Sequence, residues 1–249
     1  MEKGVATVVK VERENQEITS LTFDGFDESF KNRRAGSFLS LKIQIDGQWS
    51  KPHPFTISCA PEDPLLKVTI KKAGPFTQQV HQLQLGDQVI LAGPFGLFCK
   101  DIETSDNIVM IAGGVGVTPF LSVLRHFRSA GIKKKALLIW SNRTLDDALA
   151  LDELKAMTRE FPLRVVHNLS RVEAGDQLDR YVDSDFPEVR YEAGRCTKDI
   201  MKKHMDLDAP AVFLCGPPPM QEFILSELEA LGIDQKSVKK ENFTWQGGK

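Results

Sequence analysis

Residues 108–124, IVMIAGGVGVTPFLSVL, hold the densest chemical signal in the chain. An apolar run passes straight into Gly113-Gly114-Val115-Gly116, and Thr118-Pro119 open the segment that follows. Glycines let a backbone turn tightly and approach a bulky anion, because no Cβ stands in the way. Pro119 suits the first turn of a helix, where a missing N–H costs nothing. A helix start presents N–H groups and the positive end of a dipole to a phosphate. Strand, glycine turn and helix start in that order favour a dinucleotide pyrophosphate over a plain tight turn. The spacing departs from Gly-x-Gly-x-x-Gly, with Gly114 and Gly116 at the first two positions and Pro119 at the third. That departure points away from the ordinary dehydrogenase domain.

Other groups fit the same kind of ligand. Arg143, in WSNRT, follows a second apolar run, and a guanidinium matches phosphate geometry. Ser141 adds a hydroxyl there, and Arg195, in EAGRCTK, is a second candidate cation. Either arginine fits a solvated surface position equally well. In the first half, KPHPFTIS brings His53, Pro54, Phe55 and Thr56 together. Alternate residues of a strand share a face, and a bend at Pro54 would turn neighbours toward one ligand. By composition alone it is an ordinary strand with Phe55 inside and His53 outside. KAGPFTQQ places Gly74 and Thr77 in a loop whose N–H groups and hydroxyl are anion donors, or in a polar hairpin turn. The cysteines, Cys59, Cys99, Cys196 and Cys215, are far apart and form no Cys-x-x-Cys pair. No disulfide, metal centre or iron–sulfur cluster is expected, so any electron carrier is an organic cofactor.

These groups need elements to position them, and the two halves of the chain differ in period. Val5 to Val11, Ile18 to Phe23, Phe38 to Ile45, Leu66 to Ile70 and Gln88 to Ala92 read as strands. Asp46-Gly47, Gly74-Pro75, Gly86-Asp87 and Gly93-Pro94 separate them as turns. Many short strands at this spacing predict a small antiparallel β-barrel or sandwich. Beyond them, Ile108 to Ala112, Ala136 to Trp140, Leu163 to His167 and Ala211 to Cys215 are continuous apolar runs, as expected of strands covered on both faces. Helical stripes follow at Phe120 to Phe127, Leu145 to Arg159 and Pro218 to Leu231. That alternation predicts an α/β domain with a Rossmann-like parallel sheet. The expected division is residues 1–103 and 104–249.

Composition sets outer limits. The 249 residues are 41% hydrophobic and 27% charged, ordinary for a globular chain with a real core. A formal net charge of −2 gives no general pull toward nucleic acid or anionic membrane. No apolar run has the length of a membrane span, and Met1 to Val5 lacks a signal-peptide core. A cytoplasmic location is expected.

Taken together, these motifs resemble those of the ferredoxin–NADP reductase-like flavoenzymes, in family order over nearly the whole chain. The resemblance implies an FAD-binding barrel joined to a nicotinamide-nucleotide domain. HPFT is similar to the flavin segment of ferric reductases and NADPH oxidases. By that resemblance His53 contacts the flavin phosphates or ribityl chain, Phe55 lies against the ring system, and Thr56 bonds near its reactive nitrogen. Gly74 and Thr77 would hold phosphate, and Gly93-Pro94-Phe95-Gly96 would be a structural turn. In GGVGVTP, Gly113, Gly114 and Gly116 would meet pyrophosphate, and Thr118 and Pro119 would approach the nicotinamide. In LCGPPPM, Cys215, Gly216 and Pro217 would border the nicotinamide without a nucleophilic role. Glu241 would be catalytic, and Phe243 or Trp245 would cover the flavin. The implied activity carries a hydride from NAD(P)H to FAD, then electrons to a separate acceptor: ferredoxin, flavodoxin, a partner subunit or a ferric complex. Two alternatives stay open, an electron-transfer subunit of a larger complex and a non-catalytic nucleotide-binding module.

Overall fold

The computed structural model describes residues 4–172 and 178–241. By internal contacts the chain forms two compact units, Met1–Lys100 with Thr118–Ala130, and Asp101–Val117 with Gly131–Lys249.

The first unit is antiparallel. Its strands are β1 (Val5–Arg13), β2 (Ile18–Asp24), β3 (Phe38–Ile45), β4 (Gln48–Trp49), β5 (His53–Thr56), β6 (Leu66–Lys71) and β7 (Gln88–Phe95), with helix α1 (Pro75–Val80) between β6 and β7. They pair in the order β4-β3-β7-β1-β2-β6, and β5 adds to β3. The sheet then curls to meet itself. Ile57, just past β5, bridges Val68 of β6, and the Ser58 N–H donates to the Lys67 carbonyl at 2.8 Å. Side chains reinforce this seam: Ser58 Oγ lies 3.0 Å from Thr69 Oγ1, and the Lys67 N–H donates to Cys59 Sγ at 3.3 Å. Inward residues such as Leu21, Phe23, Phe30, Leu39, Leu41 and Val68 fill the barrel. Arg33, buried, donates to the carbonyls of Phe30, Ala60 and Asp63 and so ties down the loop beyond the seam.

The second unit is parallel throughout. Its elements are β8 (Asn107–Gly113), β9 (Lys135–Asn142), α3 (Leu151–Glu160), β10 (Leu163–Leu169), β11 (Val189–Ala193), α4 (Lys198–His204), β12 (Ala211–Cys215), α5 (Pro218–Ala230) and β13 (Lys239–Glu241), in the sheet order β11-β10-β9-β8-β12-β13. Chain order runs outward from β8 to β11, then restarts on the other side at β12. The switch point therefore lies between β8 and β12, where ligands of open α/β sheets bind, at the carboxyl ends of the strands.

Helix α2 (Thr118–Ser129) lies between β8 and β9 in sequence but clusters with the barrel. Its polar positions explain this. Ser122 Oγ donates to the Cys59 carbonyl at 2.7 Å and accepts the Gly36 N–H at 3.1 Å. Arg125 donates to the Ser58 carbonyl at 2.6 Å, and His126 pairs with Glu62.

Several elements differ from expectation. The helix expected from Leu145 to Arg159 is a short 3-10 turn followed by α3. Ala150, with φ +54°, breaks it, and Asp147 accepts the Thr144 N–H at 3.1 Å. The polar turn expected at residues 72–79 contains α1. The strands β11 and β13, VRYEA and KKE, are edge strands. A strand covered on one side needs no continuous apolar run, so neither announces itself by pattern.

Candidate functional site

In the barrel, β5 pairs with β3 so that His53 faces Leu41 and Thr56 faces Phe38. The His53 ring stacks on Phe76 of α1, with 3.7 Å between centroids and 17° between planes. Phe55 lies nearly parallel to the same ring, at 6.1 Å and 14°. The HPFT and KAGPFTQQ segments thus meet at Phe76, a residue the motif reading had not singled out. Partial burial pulls the His53 pKa below its ordinary value, so the imidazole is neutral near pH 7. It contributes ring stacking rather than a full positive charge.

Thr56 is 4% exposed, and its hydroxyl has no hydrogen-bond partner among the described residues. An unpaired buried hydroxyl costs about 1–3 kcal/mol, so it marks the place of a ligand group or a water. On the other face of β5, His53 and Phe55 form with Phe76 an uncharged aromatic stack, which suits a planar heteroaromatic ring. Thr77 is otherwise engaged. Its hydroxyl accepts the N–H groups of Ala73 (2.8 Å) and Gly74 (2.9 Å) and donates to the Gly74 carbonyl (3.0 Å). One donor and two lone pairs are all a hydroxyl has. Thr77 therefore shapes the Gly74 turn through its own hydroxyl.

At the switch point the two glycine motifs touch. A Cβ on Gly116 would lie 2.6 Å from the Cys215 carbonyl oxygen and 2.9 Å from Gly216 Cα. A Cβ on Gly113 would overlap Met220 Sδ, and one on Gly216 would lie 3.1 Å from the Gly113 amide nitrogen. Gly116, facing backbone, is required for space, whereas a Cβ at Gly113 or Gly216 would press on neighbours that must shift. Gly114 is different: its Cβ would meet nothing within 4 Å, but its φ of +53° favours glycine. Cys215 is buried at the end of β12, while Pro217 is exposed at the cap of α5. Thr118 and Pro119 are buried in the first turn of α2. Glu241 ends β13 in register with Cys215. Its Oε2 has no partner among the described residues, and burial pushes its pKa up to about 7. Phe243 and Trp245 lie outside the described residues.

Farther along the carboxyl edge, the backbone ladder continues past β9 and β10. The Ser170 N–H donates to the Asn142 carbonyl and the Arg171 N–H to the Arg143 carbonyl, both at 2.9 Å. Two exposed arginines, Arg143 and Arg171, therefore stand side by side. Sequence inspection passes over Arg171, although it too follows closely on a buried strand. Ser141 donates its hydroxyl proton to Asn168 Oδ1 at 3.2 Å. Arg195 is separate from the pair, its guanidinium lying 3.9 Å over the Phe223 ring. Asn142 is buried with both amide atoms unpartnered among the described residues. No length or charge pattern would have revealed it.

Two family models cover this framework in sequence. Residues 4–117 match the FAD-binding domain, and residues 110–226 match the oxidoreductase NAD-binding domain. The chain belongs to the ferredoxin–NADP reductase-like superfamily of flavoprotein oxidoreductases. Like other members of the superfamily, it joins an antiparallel FAD-binding domain to a parallel-sheet NAD-binding domain. The ferredoxin NADP+ reductase of Neisseria gonorrhoeae, solved with bound FAD and NADP, has the same fold: TM-score 0.78 at 18% identity, over 96% of this chain and 98% of that one. The reductase component of propane 2-monooxygenase from Mycolicibacterium goodii is 28% identical over 95% of this chain and 66% of its own length. Human NADH-cytochrome b5 reductase 2 is 29% identical over 67% of this chain and 64% of its own length. The chain thus spans about two thirds of the length of the last two relatives. Among the described residues no helix is long and apolar enough to cross a membrane.

Proposed function

We propose that this chain is a flavin reductase of ferredoxin–NADP reductase type, taking a hydride from NADH or NADPH onto FAD and passing electrons to a separate protein. The observation that carries this reading is the buried Thr56 hydroxyl at the end of the HPFT strand, without a partner among the described residues. When bound, FAD supplies a hydride acceptor that can release two electrons singly. The chain's own part is binding, orientation and exclusion of water. His53, Phe55 and Phe76 form the aromatic bed for the ring, and Thr56 bonds at its edge. Gly113, Gly114 and Gly116 let the backbone approach the coenzyme pyrophosphate. Thr118, Pro119, Cys215, Gly216 and Pro217 border the nicotinamide, and Cys215 acts by position alone. Glu241, with its pKa near 7, can hold or give up a proton at Oε2 near neutral pH.

Arg143 with Arg171 supports a preference for NADPH, since the ladder brings their backbones together and a guanidinium suits a 2′-phosphate. The cysteines, all buried and outside any disulfide among the described residues, fit the reducing cytoplasm. A relative named as the reductase component of a monooxygenase supports a protein acceptor. It also favours a second reading, delivery of electrons only within a complex. Reduction of free ferricyanide by the isolated chain separates the two.

The decisive experiment begins with the purified protein, which is expected to be yellow and to take up one FAD. Thr56→Ala is expected to keep FAD and coenzyme but to slow flavin reduction at saturating coenzyme about tenfold, the value of one hydrogen bond. A colourless protein that takes up neither FAD nor FMN overturns the reading. An unchanged limiting rate removes Thr56 from it.

A further inference from the structure

Trp140 is fully buried in β9, in register between Ala112 of β8 and His167 of β10. A buried indole N–H needs an acceptor. Here Nε1 donates to the Gly114 carbonyl at 2.9 Å, so a sheet residue reaches into the glycine turn. Gly114, at φ +53°, has open space at its Cβ position, so the site needs a backbone conformation rather than room. Gly114 opens the 3-10 turn Gly114–Val117, so the direction in which its carbonyl is held bears on how that turn is set. The peptide is planar and trans, so the Gly114 carbonyl and the Val115 N–H point opposite ways. Anchoring the carbonyl on Trp140 sets the direction of the amide as well. The indole is itself wedged: His167, 1% exposed, lies 5.7 Å from it and stacks on Tyr191 at 5.4 Å and 20°.

We propose that Trp140 is a positioning residue for the dinucleotide, its indole N–H locking the Gly114–Val115 peptide in the orientation that receives the coenzyme pyrophosphate. This rests on the reading of the glycine turn as the coenzyme's. Pyrophosphate is common to both coenzymes, so Trp140 affects NADH and NADPH alike. That separates its action from the strand-end arginines, which would meet only a 2′-phosphate.

The test compares Trp140→Phe, His167→Phe and Gly114→Val in FAD-loaded protein. Trp140→Phe keeps a buried ring and loses the donor; His167→Phe alters the packing beneath the indole and leaves the donor. Dissociation constants for NAD+ and NADP+ are measured by titration. Trp140→Phe is expected to raise both by roughly three- to tenfold, with their ratio unchanged, and His167→Phe to raise neither. In protein carrying 15N-labelled tryptophan, the indole signal missing from Trp140→Phe is expected to shift when NADP+ is added to the wild type. Unchanged constants in Trp140→Phe, or equal losses in His167→Phe, overturn the proposal. If Trp140→Phe does not fold, an indole region unmoved by NADP+ overturns it. Should Gly114→Val weaken both coenzymes while Trp140→Phe weakens neither, only this inference falls. Should Gly114→Val change neither, the reading of the turn falls with it.

Discussion

Gly116→Ala is the sharpest perturbation of the switch point. The added Cβ would lie 2.6 Å from the Cys215 carbonyl oxygen and 2.8 Å from its carbon. Both are backbone atoms, so no side chain can swing aside. Restoring ordinary contact requires the two loops to part by roughly 0.6–0.8 Å, on the order of the misplacement that costs a reaction up to a hundredfold. Such overpacking destabilises a fold by about 1–3 kcal/mol. Gly116→Ala is therefore expected to lower the urea midpoint and to slow flavin reduction at saturating coenzyme at least about tenfold. The rate is read by stopped-flow bleaching of the flavin, and stability by urea denaturation followed by circular dichroism. A variant with wild-type rate and midpoint would refute the idea that this close approach aligns the nicotinamide with its acceptor. Lost stability with an unchanged rate would leave the approach structural and the alignment to other groups.

Other outcomes follow from the charged groups. Burial raises the Glu241 pKa from 4.5 to about 7, so the folded chain holds more protons than the unfolded one across that window. Its contribution to stability is fully present below pH 4.5 and falls as pH rises through 7, by at most about 3 kcal/mol. Denaturation midpoints at pH 5 and pH 8 should diverge less in Glu241→Gln than in the wild type, and equal divergence would contradict this. His167 acts in the opposite sense. Burial holds its pKa down to about 4, so its contribution is lost as pH falls from 6.5 toward 4, and His167→Phe should resist acid better than the wild type. Arg143→Ala and Arg171→Ala should each weaken NADPH roughly ten- to hundredfold and leave NADH little changed; equal losses for both coenzymes would remove the 2′-phosphate role.

The strongest local signals were legible in the sequence. The strand-to-glycine-to-helix order at residues 108–124 depends on local backbone rules, and it appears in β8, Gly114 and α2 as expected. The long apolar runs gave β8, β9, β10 and β12. What stayed hidden depends on distant partners. Nothing near Phe76 indicates that it will lie under His53, and nothing near Trp140 shows that its N–H will meet Gly114. The competing use of Thr77 is local, but a hydroxyl that can cap a turn and one that can bind phosphate look alike in sequence. Arg171 became visible only when the ladder past β10 placed it beside Arg143. The position of α2 was equally illegible, because Ser122 and Arg125 read as ordinary helix polar residues until Cys59 and Ser58 stand opposite them.

The seam that closes the barrel has a consequence for how freely this sequence can drift. Where β2 runs against β6, from Ile18 opposite Lys71 to Phe23 opposite Leu66, the backbone does the bonding and accepts almost any residue that fits the pleat. Past β5 the joint leans on particular atoms: the Ser58 hydroxyl, the Cys59 sulfur, and the Arg33, Ser122 and Arg125 groups that hold nearby carbonyls. Of the three groups that hold these carbonyls, Ser122 falls within residues 108–124, and Arg33 and Arg125 fall outside the motifs singled out in the sequence. Mutational tolerance should therefore be low across this joint, and a library randomised there would recover few folded clones.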